Sequence, residues 1–343
     1  MIIRKQWNHN KTAILGLIII FLFGFALSAH AANVTWSGGG TDNLASNPAN
    51  WSGNVVPQYG DDVIFDSTSK DCTWDLNVSL SSLSIKSGYT GKVTKVSGAS
   101  LNIIKTIKWT GGGADNLASN PQNWSENRVP QNGDKIVFDE TSSKNCTWDI
   151  NTAPAFLSLT GYTGTVTLNS SLTINGNLTI TNGVLNLNNK NLNVDGYILI
   201  GTNGTLYATS SVITLKGSWA NYGNFNFGTS TVVLNGTNQA VYGNTTFYNL
   251  TKTVTTADTL YFEAGSTQTI LNSLTLQGAS GNLLLLRSTS GGSYWYIDPQ
   301  GTQNISFVDI RDSYNLSFTN IITTNSVDSG NNNNVSFGGS ECN

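Results

Sequence analysis

The chain has 343 residues, only 11% of them charged, and 17 basic against 20 acidic residues give a net charge of −3. A surface this poor in charge and mildly acidic lacks the clustered Lys and Arg that nucleic acid requires, so nucleic acid is not expected as a partner. Both histidines, His9 and His30, fall in an N-terminal segment that reads as an export signal; the mature chain would then lack Ser-His-Asp, Cys-His and histidine-ligated metal chemistry.

Residues 1–31 have the composition of a secretory signal peptide. Arg4, Lys5 and Lys11 precede an almost wholly apolar stretch from Thr12 to Leu27, and Ala29-His30-Ala31 fits a small-x-small cleavage site before Ala32. The competing reading is an uncleaved membrane anchor, because the apolar stretch approaches spanning length. Cleavage would leave 14 basic and 20 acidic residues, no further membrane span and a secreted or cell-surface protein. No lipid-attachment cysteine follows the apolar stretch.

Residues 36–66 recur at 109–139, with 22 of 31 gapless positions identical. Trp36-Ser37-Gly38-Gly39-Gly40 returns as Trp109-Thr110-Gly111-Gly112-Gly113, and Asp42 to Pro48 returns unaltered as Asp115 to Pro121. A repeat this long marks a supersecondary module that stacks on a neighbour to complete its core. The predicted modules cover residues 33–104 and 105–168, each with a long Gly- and Asn-rich loop before a strand, Val63-Ile64-Phe65 or Ile136-Val137-Phe138. They read either as coils of one solenoid with a protruding loop or as a separate β-domain.

Cys72 and Cys146 occupy the same Cys-Thr-Trp-Asp motif in the two copies, and Cys342 lies next to the C-terminus. Export permits a disulfide between the first two, provided their Cα atoms come within about 7 Å. The plainer reading is two equivalent buried thiols, each a small hydrophobe in its own module.

From about residue 165 to 322 the chain alternates apolar and polar residues in short runs, the period-2 mark of half-buried strands, and the predicted solenoid body covers residues 169–338. Leu172-Thr173-Ile174, Leu178-Thr179-Ile180, Val184-Leu185-Asn186-Leu187, Leu192-Asn193-Val194, Ile198-Leu199-Ile200, Thr205-Leu206-Tyr207 and Val212-Ile213-Thr214-Leu215 follow one another, separated by Asn- and Gly-rich turns. Helical spacing is nearly absent after the signal peptide. Short, even strands predict an all-β fold, a right-handed parallel β-helix (β-solenoid) preceded by the two modules, with Leu, Ile and Val columns inside and Thr, Ser and Asn ladders outside. A β-sandwich is the alternative, although it would close its core well before such a pattern ends. Ser329 to Asn343, with Asn331 to Asn334, reads as poorly ordered, and residues 339–343 as a disordered tail.

The strings Trp-x-Gly-Gly-Gly, Asp-Asn, Asn-Trp-Ser, Val-Pro, Gly-Asp, Phe-Asp and Cys-Thr-Trp-Asp resemble repeat modules of large secreted bacterial β-helix proteins. So do Thr246 to Leu250, Leu274 to Gly278, Leu286-Arg287-Ser288 and Phe307-Val308-Asp309. Those proteins are haemagglutinin- or autotransporter-adhesin-like, with a pectin-lyase-like fold. The resemblance implies a secreted adhesive or structural protein that meets glycans or a cell or host surface along an extended polar face. It also implies an alternative, a polysaccharide lyase or glycoside hydrolase.

Catalytic use of carboxylates would need several acids gathered on one outward face. In Val308-Asp309-Ile310-Arg311-Asp312, alternation points Val308 and Ile310 inward and puts Asp309 and Arg311 outward together. That pair reads as a sugar-acid subsite or, more plainly, as an exposed ion pair worth under about 1 kcal/mol. Asp61, Asp62 and Asp66 are mirrored only by Asp134 and Asp139, with Lys135 replacing Asp62, so Gly60-Asp61 and Gly133-Asp134 read as turns into the next strand. Gly40-Thr41-Asp42-Asn43 and Gly113-Ala114-Asp115-Asn116 offer loop oxygens to calcium, but one carboxylate per loop favours closure by Asx turns. Trp36, Trp51, Trp74, Trp109, Trp124 and Trp148 read either as sugar-stacking platforms or, from their repetition, as core anchors. The Asn-x-Ser/Thr sites follow from composition and carry no argument. A flat Thr ladder for ice or mineral templating is a third reading, weakened by an irregular Thr-x-Thr pattern. The sequence assigns no catalytic residue, no metal ligand and no cofactor, and reads as non-enzymatic.

Overall fold

A computed structural model describes residues 33–338. The expected signal peptide with His9 and His30, the tail at 339–343 and Cys342 lie outside those residues. The described chain is almost entirely β, its helices being short 3-10 turns such as Pro48–Asn50 and Pro121–Asn123. It forms a parallel β-solenoid of about 13 turns. The chain divides into two compact units, one ending at Ile104 and the other starting at Lys105.

In the first unit, strands Asn33–Trp36, Asp62–Phe65 and Ser82–Ile85 pair in parallel. Cys72–Trp74 pairs with Val93–Lys95, and Asn77–Leu80 with Ser100–Ile103. Alternation along these strands turns Val34, Trp36, Val63, Phe65, Cys72 and Trp74 into one core.

The second unit stacks its strands into sheets of 14 and 11 strands. Residues 105–168 supply the first coils of this stack. Thr106–Lys108 pairs with Lys135–Phe138, which pairs with Phe156–Leu159, which pairs with Leu178–Asn186. The core runs from Ile107 to Ile321 with no break near residue 169. In-register pairing carries one inward column through Ile136, Leu157, Leu178, Ile198, Trp219, Val241 and Phe262. A second column runs through Leu172, Leu192, Ile213, Val232, Leu250 and Leu274. These residues are all buried, so each coil completes the core of its neighbour. The outward face of the second sheet carries the expected polar ladder, Thr173, Asn193, Thr214, Thr251, Thr275 and Asn304, interrupted once by Val233.

Asparagine fills the corners as expected: Asn188, Asn189, Asn238 and Asn325 all have φ between 48° and 61°. Two local expectations need correction. Asn182-Gly183 is not a turn between separate strands; it lies inside the single strand Leu178–Asn186, where the register shifts between Ile180 and Asn182 and Gly183 has φ +73°. The stretch from Ser329 to Gly338 is ordered in the stack. Val335–Gly338 pairs with Ile321–Thr324, and the amide groups of Asn331, Asn332 and Asn334 donate to Asp312, Ile310 and Asn315. A run of Asn resembles a disordered tail in composition, but here the side chains of Asn331, Asn332 and Asn334 bond residues of the preceding coil.

Candidate functional site

The long loop of each module is organised by one buried asparagine. Asn50 Nδ2 donates to the carboxylate of Asp42 and to the carbonyl of Leu44, both at 3.0 Å, while its Oδ1 accepts Gly40 N at 2.9 Å. Asn123 repeats this with Asp115, Leu117 and Gly113. Asp42 and Asp115 close Asx turns by accepting the N–H of Leu44 and Leu117, each at 3.1 Å. Hydrogen bonds from Asn47 and Asn120 lead the causes that hold these carboxyls below the ordinary value of 3.8. The carbonyls that calcium would need already face a cation of the protein. Lys70 Nζ donates to Gly40 O at 2.5 Å, and Lys144 Nζ donates to Gly111 O at 3.0 Å and Gly113 O at 2.6 Å. Among the described residues no group of three His, Cys, Asp or Glu side chains is placed to hold a metal.

The six module tryptophans are core anchors. Trp36 and Trp51 meet edge-on at 4.9 Å, Trp109 and Trp124 at 5.0 Å, and Trp51 and Trp124 also touch Trp74 and Trp148. Trp51 Nε1 donates to Ala45 O and Trp124 Nε1 to Ala118 O, tying each loop to the core. Cys72 and Cys146 are free, each buried in its own module. Burial pushes the Cys72 thiol up to about 12 and Cys146 well above its ordinary value, so neither is a thiolate nucleophile near neutrality.

Asp61 and Asp134 close the expected turns by accepting the N–H of Gln58 and Gln131, both at 2.7 Å. Arg128 also clamps Asp134 through two bonds of 2.9 Å. Asp139 faces Lys108 at 2.8 Å, Asp62 accepts the Ser82 hydroxyl, Lys135 is exposed, and Asp66 lies on the surface apart from these. Asp61, Asp62, Asp134 and Asp139 therefore engage separate partners, and no three acids among the described residues gather into a metal-holding group.

Val308 and Ile310 point inward as expected, but Asp309 does not pair with Arg311. Its Oδ2 lies 2.8 Å from Arg287 on the preceding coil, and Arg287 also donates to Asp309 O at 2.6 Å. Arg311 is 55% exposed and lies 3.7 Å from buried Asp312. Stacking in the sheet brings Arg287 beside Asp309, a neighbour that local alternation could not reveal.

Two features of this region were missed in the sequence. On the outward face, Tyr296 and Tyr314 are register partners with centroids 5.6 Å apart, and Tyr294 meets Tyr314 edge-on at 5.5 Å. All three rings are half-buried, each keeping part of its surface in solvent. The signal was Tyr294-Trp295-Tyr296, which places two outward rings either side of an inward one. In the interior, Lys252 and Asp258 form a fully desolvated pair: Nζ lies 2.7 Å from Oδ2, with side-chain exposures of 0% and 2%. Burial holds the Lys252 amine below the ordinary lysine value. Its signal was a lysine on the inward parity of a strand, after Leu250.

Residues 123–254 match the family model described as the G8 domain, which covers well under half of the chain. No curated protein and no solved structure matches the sequence. The matched segment begins at the buried loop asparagine of the second module and ends two residues past Lys252, so the similarity runs from inside the second module into the coils that follow it.

Proposed function

We infer that the chain is an extracellular structural or adhesive solenoid that contacts carbohydrate along its outward face. G8 domains are generally found in extracellular proteins, and no helix among the described residues is long and apolar enough to cross a membrane. The single observation that carries the reading is the Tyr294, Tyr296 and Tyr314 cluster on an otherwise hydroxyl- and amide-rich face. Tyrosine rings offer an apolar face to a pyranose ring while their hydroxyls stay wet. Repeated shallow contacts of that kind gain strength through multivalency. Immobilised neutral and acidic glycans should retain the protein, and Tyr296→Ala with Tyr314→Ala should weaken retention at least tenfold. Equal retention by that double variant would remove the cluster from the binding face.

The reading is non-enzymatic, supported by the engagement of Asp309 with Arg287 in place of an outward acid–base arrangement. Cleavage of pectate or alginate that disappears in Asp309→Ala would overturn it in favour of a carbohydrate-active enzyme.

A further inference from the structure

The pair Lys252 and Asp258 spans one corner of a coil. Lys252 lies on strand Thr245–Thr253 of one sheet, and Asp258 opens strand Asp258–Phe262 of the other. An ion pair removed from water costs several kcal/mol per ion before mutual attraction offsets it. The surroundings give both ions further partners.

An ammonium has three N–H groups. Lys252 Nζ directs one to Gly236 O at 2.8 Å and one to Gln239 Oε1 at 3.0 Å, and the third side faces Asp258 Oδ2 at 2.7 Å. Gln239 is itself fixed, donating to Leu215 O at 3.0 Å and Gly217 O at 2.7 Å. The contact to Oδ2 is close but poorly aligned as a hydrogen bond. On the other side of the carboxyl, Oδ1 accepts two backbone N–H groups, from Asn238 and Thr259, both at 2.7 Å. Burial would raise the Asp258 carboxyl, but the Asn238 N–H, the Lys252 ammonium and the Thr259 N–H together hold it below its ordinary value, so the resting pair is ionic.

We propose that Lys252 and Asp258 become joined by an amide bond between Nζ and Cγ, a covalent staple across the corner. Nζ first passes one proton to Oδ2, giving an amine and a carboxylic acid. The two N–H groups left on Nζ remain bonded to Gly236 and Gln239, which directs the nitrogen lone pair at the carboxyl. As Nζ adds to Cγ, the negative charge gathers on Oδ1, where the Asn238 and Thr259 N–H groups already point, as in an oxyanion hole. A second proton moves from Nζ to the Oδ2 hydroxyl, the Cγ–Oδ2 bond breaks, and water leaves. The reaction forms one C–N bond, breaks one C–O bond and needs no oxidant or cofactor. Proximity supplies the driving geometry, because both groups are held in contact by the fold.

The test is a tryptic peptide map of the full folded chain, denatured only before digestion. Lys216, Lys252 and Arg287 are the only tryptic sites in this stretch. An amide at Lys252 blocks cleavage there, so residues 217–287 should appear as one peptide, lighter by one water than the linear peptide. Its fragment spectrum should show no breaks from 252 to 258. Lys252→Arg should restore cleavage and abolish the water loss. Recovery of separate 217–252 and 253–287 peptides from the folded wild-type protein, whatever their mass, means an ion pair only and sinks the proposal. A water lost from Asp258 by cyclisation onto its own backbone gives that second result too, because Lys252 would remain cleavable.

Discussion

The ammonium of Lys144 donates to the carbonyl oxygen of Gly113 across 2.6 Å, and Lys70 stands in the same relation to Gly40 in the first module. A lysine thus neutralises the turned-in carbonyls of each glycine loop. Lys144→Met keeps the length of the stem but leaves those acceptors unpaired. It should cost about 1–3 kcal/mol, read as a lower denaturant midpoint. An unchanged midpoint would mean that water replaces the ammonium at no cost.

Trp124 is 1% exposed and touches Trp109, Phe138 and Trp148. Its indole N–H also holds the loop at Ala118. Trp124→Ala should therefore destabilise the second unit by about 3–5 kcal/mol. Calorimetry should show that loss, and Trp124→Phe should recover part of it by refilling the cavity without the N–H.

The carboxyl of Asp115 is held below its ordinary 3.8 by the hydrogen bond from Asn120 and then by the Leu117 N–H. The folded state therefore binds the proton less readily than the unfolded chain does. Its stabilisation is complete above the ordinary carboxylate range and is lost as pH falls through the depressed folded value. Melting temperatures of wild type and Asp115→Asn, measured from neutral pH into acid, should begin to converge as pH falls past 3.8 and meet only below the depressed folded value. Parallel curves would show that the charge of Asp115 contributes nothing.

Gly176, Gly196 and Gly217 stack at one corner, with Gly196 N donating to Gly176 O at 2.8 Å and Gly217 N to Gly196 O at 2.9 Å. A Cβ on Gly217 would run into the backbone of Gly196. Gly217→Ala should force adjacent coils apart and cost about 1–3 kcal/mol through overpacking. Gly291→Ala, which meets nothing within 4 Å, is the control and should leave stability nearly unchanged.

Much of this fold was legible because the solenoid is written in local alternation. Leu172-Thr173-Ile174 and Leu192-Asn193-Val194 declare their inward residues before any partner is known, and the fold then pairs them in register. The repeat likewise pointed to Trp36 and Trp109 as core residues and to Asp42 and Asp115 as turn formers. What alternation cannot tell is which residue on the next coil lies alongside. Arg287 meets Asp309, and Tyr296 meets Tyr314, only through coil length and register. Lys70 and Lys144 were recoverable in principle, since each stands two residues before the repeated cysteine, but their task depends on a loop folding back over 30 residues.

Trp36 and Trp51 cross at 76°, and so do Trp109 and Trp124, although one pair belongs to the unit ending at Ile104 and the other to the unit that continues into the long stack. The same angle in two different settings means that each module carries its own folding instructions. Copying such a segment within a gene adds a ready-made building block, and whatever follows it is free to change.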